Sequence, residues 1–157
     1  MLKCVRVPTT SFLIGGAKMS VVTEIIRLES DRTLSFGNYA VKEKQKFEDF
    51  EAMGDIYKVK THNQVTRLEK NGRLMLETVP GAAIFNFKAA ENAVSFGVTG
   101  FGYTNITTEL ESETGYKIIV DGAVRGEMRS NVGGKITFSV DLNESQQQVR
   151  IEKHPIM

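Results

Sequence analysis

The amino-acid sequence predicts an all-β protein, an antiparallel β-sandwich of the Ig-like or jelly-roll-like kind with about 11–12 short strands. Two patterns carry that expectation. Apolar and polar residues alternate in run after run from Ser20 onward, the period of a strand with one buried face. Turn-forming residues punctuate these runs at intervals of roughly 8–12 positions, as short antiparallel strands require. Of 157 residues, 41% are hydrophobic and 25% charged, which supplies a core and the charge of an ordinary soluble domain.

Residues 1–18 (MLKCVRVPTTSFLIGGAK) differ in character and read as a leader outside the fold. Lys3 and Arg6 suit the start of a signal peptide, but the apolar stretch Phe12, Leu13, Ile14 is too short for its hydrophobic region. Export is therefore not expected, and a cytoplasmic location is. The genetic code gives a second reading. Ile14, Gly15, Gly16, Ala17, Lys18 and Met19 back-translate as ATA-GGA-GGA-GCN-AAA-ATG. That string holds a purine-rich ribosome-binding sequence ahead of a start codon and points to Met19 as the initiating residue. Cys4, the only cysteine, also lies here, so the body has no disulfide, no thiolate metal site and no thiol nucleophile.

Between Ser20 and Val79 the expected strands are residues 21–28, 33–39, 47–52 and 56–61, then a hairpin over 65–79 turning at Asn71–Gly72. The charged stretch 41–55 is ambiguous, because Phe47, Phe50 and Met53 recur at every third residue, as in a single helical turn. Met53–Gly54 followed by the alternating run 56–60 favours a hairpin. Pro80–Gly81 reads as a break between an N-terminal β region, 19–80, and a sandwich-like region of about seven strands, 81–153, with a tail at 154–157. A core of under about 70–80 residues supplies little net stability, so the two regions share an interface or form one continuous sandwich.

In the second region, Phe85, Phe87 and Ala89 alternate, as do Val94, Phe96 and Val98, then Thr104, Ile106, Thr108 and Leu110. Tyr116, Ile118 and Val120 lead through Asp121–Gly122 into residues 123–129. Ile136, Phe138, Val140 and Leu142 give the clearest half-buried strand, and Val149 and Ile151 the last.

Residue chemistry excludes more than it selects. Outside residues 1–18, which hold Lys3, Arg6, Lys18 and no acid, 17 of the 20 bases face all 19 acids, a net −2 that gives no footprint for nucleic acid. No apolar run approaches the roughly 20 residues of a membrane-spanning helix. His62 and His154 lack neighbours at ligand spacing, so neither a metal nor another cofactor is expected. Glu109, Glu111 and Glu113 share one solvated face rather than forming a facing acid–base pair. Gly97, Gly100 and Gly102 precede a strand, whereas a phosphate loop needs a helix N-terminus after it. Ser20, Ser95 and Ser139 sit in alternating runs without a nucleophile elbow.

Binding is the class left open. Tyr39, Tyr57, Phe101 and Tyr103 are candidate aromatic platforms, though the chain has no tryptophan. Phe101 and Tyr103 are the best pair, in a glycine-rich loop where a large ring has no evident core role. Arg67 and Arg73, around the Asn71–Gly72 hairpin, are the candidate ligand cations.

Several runs carry a family likeness: SVVTEII (20–26), LSFGNY (34–39), GDIYKVKT (54–61), TRLEKNG (66–72), ETVPG (77–81), NF (86–87) and residues 116–142. On them the chain, from Ser20 onward, resembles short proteins of gut Clostridia and Lachnospiraceae-type bacteria that carry the label endosialidase. The resemblance implies a small glycan-active enzyme, although the S-x-D-x-G-x-T-W box of sialidases is absent. Residues 116–140 also resemble small β-modules at the C-termini of polysaccharide-degrading enzymes. The residues themselves point to a non-catalytic binding or interaction module for a carbohydrate or a protein, or for a second copy of the chain. An endosialidase-like glycosidase and a structural subunit of a bacterial or phage-derived assembly are the alternatives.

Overall fold

The chain, described here from a computed structural model over residues 10–14 and 17–154, folds entirely into strands and connections, with no helix among the described residues. It opens with β1 (Thr10–Ile14) and β2 (Ala17–Val21), an antiparallel hairpin that belongs to neither larger sheet. Then come β3 (Ile26–Leu28) and β4 (Leu34–Phe36), followed by β5 (Gln45–Ala52), β6 (Asp55–Thr61), β7 (Thr66–Lys70) and β8 (Arg73–Val79). The remaining seven are β9 (Ala82–Ala89), β10 (Ala93–Gly100), β11 (Gly102–Glu109), β12 (Gly115–Val120), β13 (Ala123–Arg129), β14 (Lys135–Leu142) and β15 (Gln147–Lys153).

Two antiparallel sheets pack face to face as a β-sandwich. One has seven strands in the order β13-β12-β15-β10-β9-β4-β3, the other six in the order β14-β11-β8-β7-β6-β5. Both draw strands from either side of Pro80–Gly81: β4 pairs with β9, and β8 with β11. The break foreseen at Pro80–Gly81 is the point where the chain crosses from the six-stranded to the seven-stranded sheet.

Local chemistry explains the turns. Asn71–Gly72, Asp121–Gly122 and Met53–Gly54 all hold positive φ at both central residues, the geometry that matches hairpin twist. Asn71 also ties its hairpin to the next, since Ile56 N–H donates to its side-chain oxygen at 3.0 Å and its amide donates to Asp55 at 2.9 Å.

Three expectations need revision. Residues 21–28 are not one strand: a turn closed by Ile25 N–H onto the Val22 carbonyl, with Ile25 at φ 76°, splits them into the end of β2 and β3. The strand expected over 33–39 stops at Phe36, because Gly37 adopts φ 103° against the Ala82 backbone, where a Cβ would collide. The described strands number fifteen rather than 11–12, chiefly because β1 and β2 occupy the stretch read as leader.

The core lies between the sheets. Leu68, Leu76, Ile84, Phe96, Ile106 and Ile151 are almost fully buried, and each such side chain stabilises the fold by roughly 1.5–3 kcal/mol. Phe87 packs against Phe36 and Phe96, with ring centroids 6.1 Å apart in each pair. On β14, Ile136, Val140 and Leu142 are buried and Phe138 packs against the core, as the alternation predicts. A smaller cluster of Val21, Val22, Tyr39, Ala83 and Phe85 forms separately. A buried polar chain also joins the sheets. Asn38 N–H donates to Thr61 Oγ1 at 2.9 Å, the Thr61 and Thr66 hydroxyls meet at 2.7 Å, and Thr66 Oγ1 donates to the Ala82 carbonyl at 2.8 Å.

Candidate functional site

The loop between β3 and β4 is held by short-range hydrogen bonds. Glu29 N–H donates to the Thr33 carbonyl at 2.8 Å, and Arg32 N–H to the Glu29 carbonyl at 3.0 Å. The Asp31 carboxylate accepts from Thr33 N–H at 3.1 Å and from the Thr33 hydroxyl at 2.6 Å, a side-chain turn typical of aspartate. Asn86 of β9 reaches across to Thr33 Oγ1 at 3.0 Å. Within this frame Arg32 sits at φ 70°, a left-handed conformation that non-glycine residues seldom adopt.

That loop forms one wall of an end cleft of about 400 Å³, in the size range of small-ligand sites. Leu34 and Phe87 contribute from the seven-stranded sheet, Tyr57 and Met75 from the six-stranded one. Met75 is there because of a bulge. β7 and β8 pair Leu68 with Leu76 and then Glu69 with Leu74, leaving Met75 as the extra residue. Bulges of this kind redirect a side chain, and Met75 packs against the core and lines the cleft.

The cleft is polar at its rim. Lys70 reaches Asp55 at 3.6 Å. The Thr33 hydroxyl, opposed by partial burial and helped by Lys88, holds the Asp31 carboxyl below its ordinary value. Burial, with the Asp55 carboxylate behind it, pushes the Tyr57 phenol up, so it stays a neutral hydrogen-bond donor. Arg32 and Lys88 have no carboxylate within 4 Å among the described residues, and both line the cleft. The arrangement can bind an anion. Its Asp31 carboxyl, held below its ordinary value, is a poor proton donor, and Asp55 is engaged by Lys70 and Asn71.

None of the four ligand residues read from the sequence lines this cleft. Phe101 is the one residue between β10 and β11, where the chain changes sheets, and its ring stands edge-on to Tyr39 at 5.3 Å. It is still 50% exposed. Tyr103, 78% exposed, is paired across the ladder with Asp141. Arg67 is engaged by Glu69 at 2.9 Å and Glu77 at 3.0 Å, and Arg73 by Glu109 at 2.6 Å. These carboxylates raise both guanidinium pKa values, Glu69 contributing most for Arg67 and Glu109 for Arg73. The aromatic pair and the arginine pair do not converge. Tyr103 and Glu109 lie on one strand, six positions or about 20 Å apart.

Of the cleft residues, Tyr57 alone had a sequence signal, as an aromatic platform candidate. Asp31-Arg32-Thr33 offered only a turn-forming composition, and nothing local marked Lys88. The histidines serve elsewhere: His154 Nε2 lies 3.2 Å from Glu127, and the His62 backbone closes a loop with Val65. No group of three or more candidate ligating side chains that could hold a metal occurs among the described residues. Among the described residues no helix is long and apolar enough to cross a membrane. Compared with protein-family models, with curated proteins and with solved structures, the chain finds no match in any of the three.

Proposed function

We propose that this protein is a non-catalytic β-sandwich binding module whose end cleft takes an acidic glycan. The observation that carries the reading is the pair of cations, Arg32 and Lys88, that line the cleft with no carboxylate within 4 Å among the described residues. A hydrogen-bonded loop presents the first and β9, the strand beside β4 in the same sheet, the second, so little ordering is needed on binding. Tyr57 supplies a neutral donor, and Met53, Met75 and Phe87 supply apolar surface for a sugar face. The ionised, hydrogen-bonded state of Asp31 favours binding over hydrolysis, because glycoside cleavage needs a protonated acid beside the leaving group.

Calorimetry against carboxylate-bearing and neutral oligosaccharides tests this. The expected result is binding of the acidic set, weakened about tenfold by Arg32→Gln and again by Lys88→Gln. No release of reducing ends is expected on long incubation. Uniformly absent binding, or binding that both substitutions leave untouched, overturns the assignment to this cleft.

A further inference from the structure

The two large sheets end in four edge strands, β13 and β3 of one and β14 and β5 of the other. β3 is three residues long, with Arg27 held by Glu24 and Glu29. β13 is bulged against β12 and carries Arg125, Glu127 and Arg129. β14 buries Ile136, Val140 and Leu142 on one face and shows a polar other face. Short edges, bulges and charges are the usual protections against edge pairing.

β5 is different. It is eight residues long, and every position but Phe50 and Ala52 is exposed. Phe47 pairs with Val59, and Phe50 with Tyr57, so both phenylalanines fall on the inner face of the sheet. They stack edge-on at 5.6 Å, yet Phe47 is 41% exposed. The opposing sheet ends on this side in β3, too short to cover them. Lys46 and Glu48 stand on the outer face and contact each other at 3.5 Å.

We propose that β5 is a self-association edge, pairing antiparallel with β5 of a second copy about a two-fold axis at Phe47. Charge selects this register. Centred on Phe47, Lys46 faces Glu48 of the second copy and Glu48 faces its Lys46, while the two Phe47 rings meet on the inner face. Centring on Lys46 or on Glu48 sets like charges against each other, and centring between Glu48 and Asp49 opposes two acids. Pairing runs from Gln45 to Asp49, where the positive φ of 59° and the bulge end the regular strand. The six-stranded sheets then join into one sheet across the dimer, with Phe47 and Phe50 buried. One exposed ion pair contributes little energy, but the two-fold repeats the Lys46–Glu48 contact and like charges in its place repel, so these residues set the register and a charge reversal opposes association.

Light scattering on the full chain, from micromolar to about 1 mM, tests the proposal. The wild type is expected to shift from monomer to dimer with concentration. Lys46→Glu and Glu48→Lys each weaken dimerisation at least tenfold, and the double exchange K46E/E48K restores it. Unchanged circular dichroism and melting temperature establish that the variants fold. A wild type that stays monomeric throughout, a dimer indifferent to the single changes, or a double exchange that fails to restore it overturns the proposal.

Discussion

Replacing Thr66 by valine removes one hydroxyl from the buried chain that joins the two sheets. Thr66 is fully buried, and its Oγ1 has three partners: Thr61 Oγ1 at 2.7 Å, the Ala82 carbonyl at 2.8 Å and Ala82 N–H at 3.1 Å. A carbonyl only accepts, so the single Thr66 proton goes to Ala82, and Thr61 must donate to Thr66. Thr61 in turn accepts from Asn38 N–H at 2.9 Å. Valine keeps the shape and silences all three bonds. At about 1 kcal/mol net for each, the loss is about 3 kcal/mol. Burial of the new methyl group returns roughly 0.8 kcal/mol. The expected destabilisation is therefore about 2 kcal/mol, a fall in Tm of roughly 4–8 °C for a chain of this size. Urea unfolding monitored by circular dichroism measures it. Thr107→Val is the control, because Thr107 and Thr137 share an exposed hydroxyl pair at 2.8 Å, and it should change stability by less than about 0.5 kcal/mol. The double change T61V/T66V should cost less than the sum of its parts, since the two share one bond. A cost below about 1 kcal/mol for Thr66→Val, or equal costs for the buried and exposed changes, refutes the reasoning.

Two further outcomes follow from the same fold. Gly122 and Gly134 both hold positive φ, 83° and 84°, but a Cβ on Gly122 meets nothing within 4 Å, whereas one on Gly134 strikes the Leu110 carbonyl oxygen. Gly122→Ala should then cost about 1–2 kcal/mol, the conformational penalty alone, and Gly134→Ala clearly more in the same unfolding experiment; equal costs remove the steric argument. Asp31 should titrate below its ordinary value in a carboxyl NMR experiment, and Thr33→Val should move its midpoint upward. Because the folded pKa is the lower one, Asp31 contributes stability above its unfolded pKa and loses it as pH falls through the folded value. An unmoved midpoint in the variant shows that the Thr33 hydroxyl is not the cause.

The stretch around β5 shows why one part of the chain was ambiguous in sequence and another was not. Phe47, Phe50 and Met53 recur at every third residue, a spacing that belongs to neither a regular strand nor a long helix. The structure resolves it with a bulge: Asp49 at φ 59° inserts one residue, and an odd spacing lands both phenylalanines on the same face. The three-residue spacing alone does not separate that from a turn of helix; only the Met53–Gly54 turn and the alternating run after it favour the hairpin. On β14 the spacing is strictly two, no bulge intervenes, and the alternation of Ile136, Phe138, Val140 and Leu142 matches the observed inner face.

The candidate site shows the same division on a larger scale. Phe101 and Tyr103 were conspicuous as aromatics among glycines, and Arg67 and Arg73 as cations at a hairpin. Such signals are local, and none of them reports partners. Arg67 and Arg73 turned out to be engaged by Glu69, Glu77 and Glu109, and Phe101 to rest on Tyr39, a residue distant in sequence. The cleft gathers segments from Asp31 to Ala89 across both sheets, and its cations stand in it only because β4, β9 and the β6–β8 meander meet at one end.

By itself, then, the sequence determined the all-β class, the inward faces of the regular strands and the hairpins at Asn71–Gly72 and Asp121–Gly122. Each of these depends on side-chain period or on φ preference within a few residues. Tertiary structure alone decided that β15 enters between β12 and β10, that β11 lies beside β8, which bulges redirect Met75 and Phe50, and where Arg32 and Lys88 meet. Those choices rest on contacts between residues far apart in the chain, where many pairings satisfy the same alternation and only the packing of the whole core selects one.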